Sequence, residues 1–254
     1  MKIDVVSLFP QMVQPVLENG ILKRAINNGV LSVDLHQLRD FTTDQHRMVD
    51  DYPYGGGSGM ILKPEPIFKA VESLSSKVDS RVIFFTPQGQ KLNQRLVEIL
   101  SLERHLILIC GRYKGVDERV RFKLVTDEIS VGDYVLSGGE IAAQILIDTI
   151  GRVLPSAIGD YQSAQDDSFS QDLLDHPHYT RPAEFRGMKV PEVLLSGHHQ
   201  KIKQWRYQQS LDRTNQRRPD LAYIHTVGNV REARTGDDET KYNLTTAELK
   251  IEKD

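Results

Sequence analysis

The sequence predicts an α/β protein with a mostly parallel sheet, followed by a smaller, mostly α-helical region. Two observations in the first half carry the sheet: short apolar runs rich in β-branched and aromatic residues, and stretches of helical period between them. A basic stretch of helical character beginning near Ser196 carries the second region. The apolar runs are continuous rather than alternating, so their strands are expected to be covered on both faces, as in a parallel sheet flanked by helices.

The first strand is "IDVVSLF", Ile3–Phe9, and "PQMVQPVLENG" after it reads as a helix. "LSVDLHQ", Leu31–Gln37, is the second strand. Arg39–Met60, "RDFTTDQHRMVDDYPYGGGSGM", mixes Asp, Arg, His and Tyr with a glycine cluster; it reads as a substrate-facing lid or as a surface excursion. "PEPIFKAVESL" is a helix, "RVIFFT" (Arg81–Thr86) a strand, "NQRLVEILSLE" a helix with Asn at its start, and "LILIC" (Leu106–Cys110) a strand. "DERVRFK" is a helix, "EISV" (Glu128–Val131) the last strand, and "IAAQILIDTI" a helix after it. Pro155–Asp172 is rich in Ser, Asp and Gln and reads as a linker or mobile loop. "SGHHQKIKQWRYQQSLDRTNQRRPDL" is helical and basic, and the residues beyond it are polar and mixed in charge.

A chain of 254 residues can bury a substantial core and is compatible with two domains. A net charge of -3 excludes a protein that is basic all over, but not a local basic surface for nucleic acid. Cys110 is the single cysteine, so an internal disulfide and a cysteine-based metal cluster within one chain are excluded. At the end of an apolar strand it reads as a packed small hydrophobe, not a nucleophile. Asp4 and Pro10 interrupt the first apolar run, against a signal peptide, and no apolar stretch approaches membrane-spanning length. The expectation is a cytoplasmic protein without membrane association.

Three glycine-bearing loops follow strands, where an open parallel sheet gathers its ligand site. They are "TPQG" (Thr86–Gly89), "CGRYKGVDER" (Cys110–Arg119) and "VGDYVLSGGE" (Val131–Glu140). Singly, each reads as a turn; together at one sheet edge they read as a site in which backbone approaches a ligand and Tyr113, Tyr134 and Leu136 form a flat slot for a nucleobase. Neither G-x-G-x-x-G nor G-x-x-x-x-G-K-[ST] occurs, which disfavours a dinucleotide or triphosphate and leaves an adenosine held by backbone groups. His176 and His178, separated by Pro177, and the pair His198, His199 lack helical i, i+4 spacing; they read as surface or capping residues, and no metal site is expected. Gly197–Arg218 carries Lys or Arg at 201, 203, 206, 213, 217 and 218 against one acid, Asp212. Lys203, Arg206, Arg213 and Arg217 share a side near Trp205 and Tyr207, which fits either RNA contact or a solvated face with Trp205 in the core. Asp166 and Asp167 in "AQDDSF" say little by themselves.

In this order and spacing, "YGGGSGM", "TPQG", "CGRYKGVDERV", "SVGDYVLSGGE", "DDSF", "LLDHPHYTRP" and "VLLSGHH" resemble the bacterial tRNA (guanine-N1)-methyltransferase family of the SPOUT superfamily, which acts on guanosine 37 beside the anticodon. The resemblance runs from Met1 to about Pro219. It implies S-adenosylmethionine as methyl donor, tRNA as substrate, and a homodimer with shared active sites. It also implies three regions: an α/β donor-binding domain over 1–156 whose C-terminal part is tied into a trefoil knot, a flexible interdomain loop over 157–172, and a helical tRNA-binding domain with a polar tail over 173–254. By the same match the donor is held through Thr86, Pro87 and Gly89, through Gly111 and Tyr113, and through Val131, Gly132, Asp133, Tyr134, Val135, Leu136, Gly138 and Gly139. Asp167 matches the general base and Arg152, in "GRVLP", the arginine that orients donor and substrate. Asp50, Gly55 and Gly59 match the loop that reads the target guanine and its 5′ neighbour, Ser168 belongs to the same substrate site, and Trp205 and Arg206 to the grip on the anticodon arm. Lys114 stands where the family usually has Glu, which leaves open a magnesium requirement or an altered substrate contact. Two other readings are carried beside this one: a knotted RNA ribose 2′-O-methyltransferase and a non-catalytic RNA-binding protein.

Overall fold

The computed structural model of the chain describes residues 1–75, 79–155, 167–169 and 172–222. The chain divides into two compact units, Met1–Gln165 and Asp166–Asp254.

In the first unit β1 (Lys2–Ser7) and β2 (Ser32–Gln37) are followed by a short antiparallel ribbon, β3 (Asp50–Asp51) with β4 (Ile61–Leu62). Then come β5 (Arg81–Lys91), β6 (His105–Ile109) and β7 (Asp127–Ser130). All but the ribbon strands form one sheet of order β2-β1-β6-β5-β7, with every neighbouring pair parallel. The expected α/β class and parallel sheet are therefore present. Alternate residues feed two cores. Ile3, Val5, Ile83, Leu106 and Leu108 pack in one cluster with residues of α2 (Gly20–Asn27), α4 (Gln94–Ser101) and α6 (Glu140–Val153). Val6, Val82, Phe84, Ile107 and Ile109 pack in the other with α3 (Pro64–Ser75) and α5 (Glu118–Leu124).

Local chemistry sets the helix starts. Asn93 Oδ1 accepts from Leu96 N at 2.9 Å before α4, and Asp117 Oδ1 from Arg119 N at 2.9 Å before α5, each satisfying an amide that the helix leaves open. The single helix expected over 10–20 is instead a 3₁₀ turn at Pro10–Met12 and a short α1 (Gln14–Leu17), with α2 beginning at Gly20. The strand expected to stop at Thr86 continues to Lys91. Phe85 and Gln90 both pair with Ile129, so 86–89 leave the ladder and the strand resumes beyond them.

One charged group sits inside the sheet. Asp4 is wholly buried, with His36 Nε2 and His105 Nε2 each 2.6 Å from its carboxylate and Lys2 Nζ 2.9 Å away. Burial alone would raise its pKa, but hydrogen bonds from His36, Lys2 and His105 outweigh that and hold it at about 2.

In the second unit a turn at 167–169 precedes a non-helical run and a hairpin of β8 (Glu184–Phe185) with β9 (Met188–Lys189). There follow α7 (Glu192–Leu195), α8 (His199–Arg217) and a further helical turn at 219–222. Leu174 N donates to the buried Thr214 Oγ1 at 2.9 Å, which fastens the run to α8. Most of the expected interdomain loop at 157–172, including Asp166, and the expected polar tail from 223 onward lie outside the described residues. Among the described residues, no helix is long and apolar enough to cross a membrane.

Candidate active site

The middle of β5, where it leaves the ladder, and the carboxyl ends of β6 and β7 open onto a cavity of about 240 Å³ in the first unit. Its walls come from three chain segments, 84–87, 111–115, and 129–139 without Asp133, the last leading into α6. Phe84, Leu136 and Tyr134 give it apolar surface, and five glycines, 111, 115, 132, 138 and 139, are among its lining residues.

Two of these segments are stitched together by main chain. Gly139 N donates to Gly111 O at 2.9 Å, and Arg112 bridges to Gly138. That approach needs glycine: a Cβ on Gly139 would stand 2.7 Å from Cys110 Cα and 3.1 Å from Gly111 N, where only backbone could yield. Beneath the stitch lies a charged clasp. Glu140, fully buried at the start of α6, accepts from Ser7 Oγ at 2.6 Å and from Arg112 Nε at 3.1 Å. A carboxylate in the first turn also lies at the positive end of the helix dipole. Arg112 continues outward, donating to Ser137 O at 3.3 Å and covering the Phe9 ring at 4.8 Å. The clasp thus joins the end of β1, the loop after β6 and the entry to α6. Cys110 is buried beneath it; burial, reinforced by the charge of Glu140, pushes its thiol well above the ordinary range, so it stays a neutral packed group.

The long polar loop is anchored to the same wall. Lys114 N donates to Met60 O at 3.1 Å, Leu62 N to Gly115 O at 3.0 Å and Asp117 N to Leu62 O at 3.0 Å. A Cβ on Gly59 would meet Lys114 Cγ at 2.8 Å. Gly55, Gly56, Gly57 and Gly59 all have positive φ, which explains the glycine cluster: the loop turns back on itself in a conformation that other residues rarely adopt. It presents Tyr52 and Tyr54 to solvent. Tyr113, also at positive φ (59°), is half exposed on the cavity wall.

Of the residues expected to hold a donor, Thr86, Pro87, Gly111, Tyr113, Val131, Gly132, Tyr134, Val135, Leu136, Gly138 and Gly139 line this one cavity. Gly89 packs against the backbone of Glu128 and Ile129, where it lets β5 and β7 close up, and Asp133 points outward to Lys91 at 2.6 Å. Asp50 lies in β3, and Gly55 and Gly59 in the exposed anchored loop. Arg152 is exposed in the last turn of α6. In the second unit, Asp167 and Ser168 are half-buried in the turn, where Ser168 Oγ accepts from Asp175 N at 3.0 Å. Trp205 is half-buried on α8 with Tyr179 at 6.4 Å between ring centroids, and Arg206 is exposed. Of the basic stripe, Lys203, Arg206 and Arg217 are exposed, whereas Arg213 is half-buried with Nη1 3.5 Å from Asp175 O. Sequence reasoning missed Ser7, Arg112 and Glu140. The available signal was a carboxylate at the mouth of an otherwise apolar helix.

A parallel sheet with a glycine-rich, apolar-walled cleft beside its carboxyl edge is the arrangement in which open α/β proteins gather a ligand. Residues 1–223 match the family described as tRNA (Guanine-1)-methyltransferase TrmD. A protein of Halalkalibacterium halodurans and one of Anoxybacillus flavithermus, both named tRNA (guanine-N(1)-)-methyltransferase, are each 56% identical to the chain over 223 residues, covering 87% of this chain and 91% of theirs. A Brevibacillus brevis protein of the same name is 55% identical over 221 residues. The chain belongs to the tRNA (guanine-1)-methyltransferase family.

Proposed function

We propose that this chain transfers the methyl group of S-adenosylmethionine to N1 of guanosine 37 in tRNA, with Asp167 taking the N1 proton. Family membership carries the enzyme class and the tRNA substrate. The single structural observation that supports the reading is the cleft formed by the stitched loops 111–115 and 131–139. The apolar walls of Phe84, Tyr134 and Leu136 suit the adenine of the donor, and the glycines at 111, 115, 132, 138 and 139 allow a ligand to approach the loop backbone closely. The donor supplies an electrophilic methyl on a sulfonium.

Guanine N1 bears a proton and is a poor nucleophile until that proton leaves. A carboxylate within hydrogen-bond reach of N1 accepts it as the methyl is transferred, the role given to Asp167. The guanidinium of Arg152 would offset negative charge growing on O6, and in-line alignment supplies the remainder. The target base must leave its stack, and the segment carrying Asp50, Gly55 and Gly59, tied through Met60 and Leu62 to the backbone at Lys114, Gly115 and Asp117, would receive it and its 5′ neighbour. Ser168 steadies the turn that carries the base, and Trp205 and Arg206 contact the anticodon arm. Lys114, at the position where the family usually has Glu, lines the cleft, and a cation there opposes a magnesium ion beside it.

The same reading includes a trefoil crossing, a 1–156 and 173–254 division around the 157–172 loop, a cytoplasmic setting and a homodimer. The crossing is supported by the path from β7, beyond β5, back through the Gly138–Gly139 stitch beside Gly111 into α6. The dimer is supported by exposed Phe9, Met12 and Ile141 on neighbouring elements next to Arg112.

Asp167→Asn tests the assignment. It should bind S-adenosylmethionine as the unaltered chain does while turnover falls by about 10²–10⁴-fold, the usual contribution of a positioned base. Full turnover, with 1-methylguanosine as product, would sink the role of Asp167.

A further inference from the structure

We propose that Asp175, His176 and His178 form a binding site for a transition-metal ion of the zinc class. The inference is independent of the donor cleft. The three residues offer ligand atoms that all lie within 4.8 Å of one another. Their segment is non-helical, and its path brings the two imidazoles together, with ring centroids 4.4 Å apart. Helical i, i+4 spacing is one way to bring two histidines to a metal; His-Pro-His in this non-helical run is another.

The ring tautomer favours ligation. His176 Nδ1 is 3.2 Å from the carbonyl of Pro177, which can only accept, so a neutral ring keeps its proton on Nδ1 and turns the Nε2 lone pair toward the carboxylate. That Nε2 stands 3.8 Å from Asp175 Oδ1, beyond hydrogen-bond distance, while His178 Nε2 is 2.6 Å from Oδ2. A zinc-class ion with bonds of about 2.0–2.2 Å needs neighbouring ligand atoms a little over 3 Å apart, between these two separations. Two imidazoles, one carboxylate and an open fourth position suit zinc or cobalt; magnesium and calcium take oxygen ligands.

The site is supported from behind. Asp175 N donates to Ser168 Oγ at 3.0 Å, Leu174 N to Thr214 Oγ1 at 2.9 Å, and Arg213 is directed at the Asp175 carbonyl. The His176 ring is mostly buried and that of His178 open to solvent, which gives both a fixed ligand and an entry path. A bound ion would stiffen the 167–169 turn through Ser168; only that consequence rests on the reading of Asp167 as base.

The experiment uses the full chain, produced without a histidine tag, stripped with chelator and titrated with Co²⁺ and then Zn²⁺. The expected result is one Co²⁺ per chain with the visible absorption of a tetrahedral site, bleached by Zn²⁺. A matching change is expected in the fluorescence of Trp205, the single tryptophan, which meets Tyr179 beside His178. His176→Ala should abolish the band although it leaves the Asp175–His178 contact and hence the local fold in place; His199→Ala should keep it. Absence of uptake by the unaltered chain, uptake that survives His176→Ala, or uptake lost in His199→Ala would each overturn the site and leave Asp175–His178 as a hydrogen-bonded pair. None of these outcomes depends on methyl transfer.

Discussion

Glu140→Ala should destabilise the first unit by about 3–5 kcal/mol, the cost of removing one partner of a buried ion pair. The Glu140 side chain is 1% exposed and that of Arg112 15%, so solvent screens neither. Truncation leaves the Arg112 guanidinium without its counter-ion, the Ser7 hydroxyl without its acceptor at 2.6 Å, and the first turn of α6 without a favourable negative charge. Glu140→Gln keeps an acceptor oxygen and should cost less, about 1–2 kcal/mol. Replacing both partners, as Arg112→Met with Glu140→Leu, should recover much of the loss, because no uncompensated charge remains. Thermal melting followed by circular dichroism reads the series: at about 2–4 °C per kcal/mol for a unit of this size, Glu140→Ala should melt on the order of 6–20 °C lower. A shift of only a few degrees, or a double variant no more stable than Glu140→Ala, would refute the clasp as the joint between β1 and the cleft loops.

Three further expectations follow from the geometry. Asp4 is held at about 2 against an ordinary 3.8, so its ionised form stabilises the fold; that contribution is present above pH 3.8, is lost as pH falls toward 2, and is on the order of 2 kcal/mol. Acid titration of stability should show this slope in the unaltered chain and lose it in Asp4→Asn; identical profiles would contradict it. Gly139→Ala, whose new Cβ would stand 2.7 Å from Cys110 Cα, should cost about 1–3 kcal/mol and weaken S-adenosylmethionine binding measured by calorimetry; normal binding would show that the stitch does not shape the cleft. Lys203→Ala and Arg206→Ala, both at exposed positions on α8, should each weaken tRNA binding and lower its salt slope by about 1, and an unchanged slope would remove that face from the RNA contact.

The parts of this protein that repeat a simple physical rule were legible in its sequence. Continuous apolar runs such as "LILIC" gave fully buried strands, and the Asn93 cap marked the start of its helix. The glycine-bearing stretches at 86–89 and after β6 and β7 could be assigned to one sheet edge because parallel strands run in the same direction. What escaped depends on contacts distant in sequence. Glu140 meets Ser7 from 133 residues away, and nothing local to either residue announces the pair. The excursion at 86–89 looked like the end of a strand because Gln90 and Lys91 are polar, yet their backbone re-pairs with β7. Gly20 looked like a helix end and is also a helix start, since its positive φ reverses the chain between α1 and α2. Arg213 was grouped with Lys203, Arg206 and Arg217 on one basic stripe, but it is half-buried with Nη1 beside the Asp175 carbonyl.

The most direct test of the central claim is methyl incorporation from labelled S-adenosylmethionine into two otherwise identical tRNA transcripts, one with guanosine and one with adenosine at position 37. Label in the guanosine transcript alone, recovered as 1-methylguanosine, is the expected result. Equal label in both transcripts, or label recovered on a ribose, would contradict the account of a cleft and loop built around guanine N1.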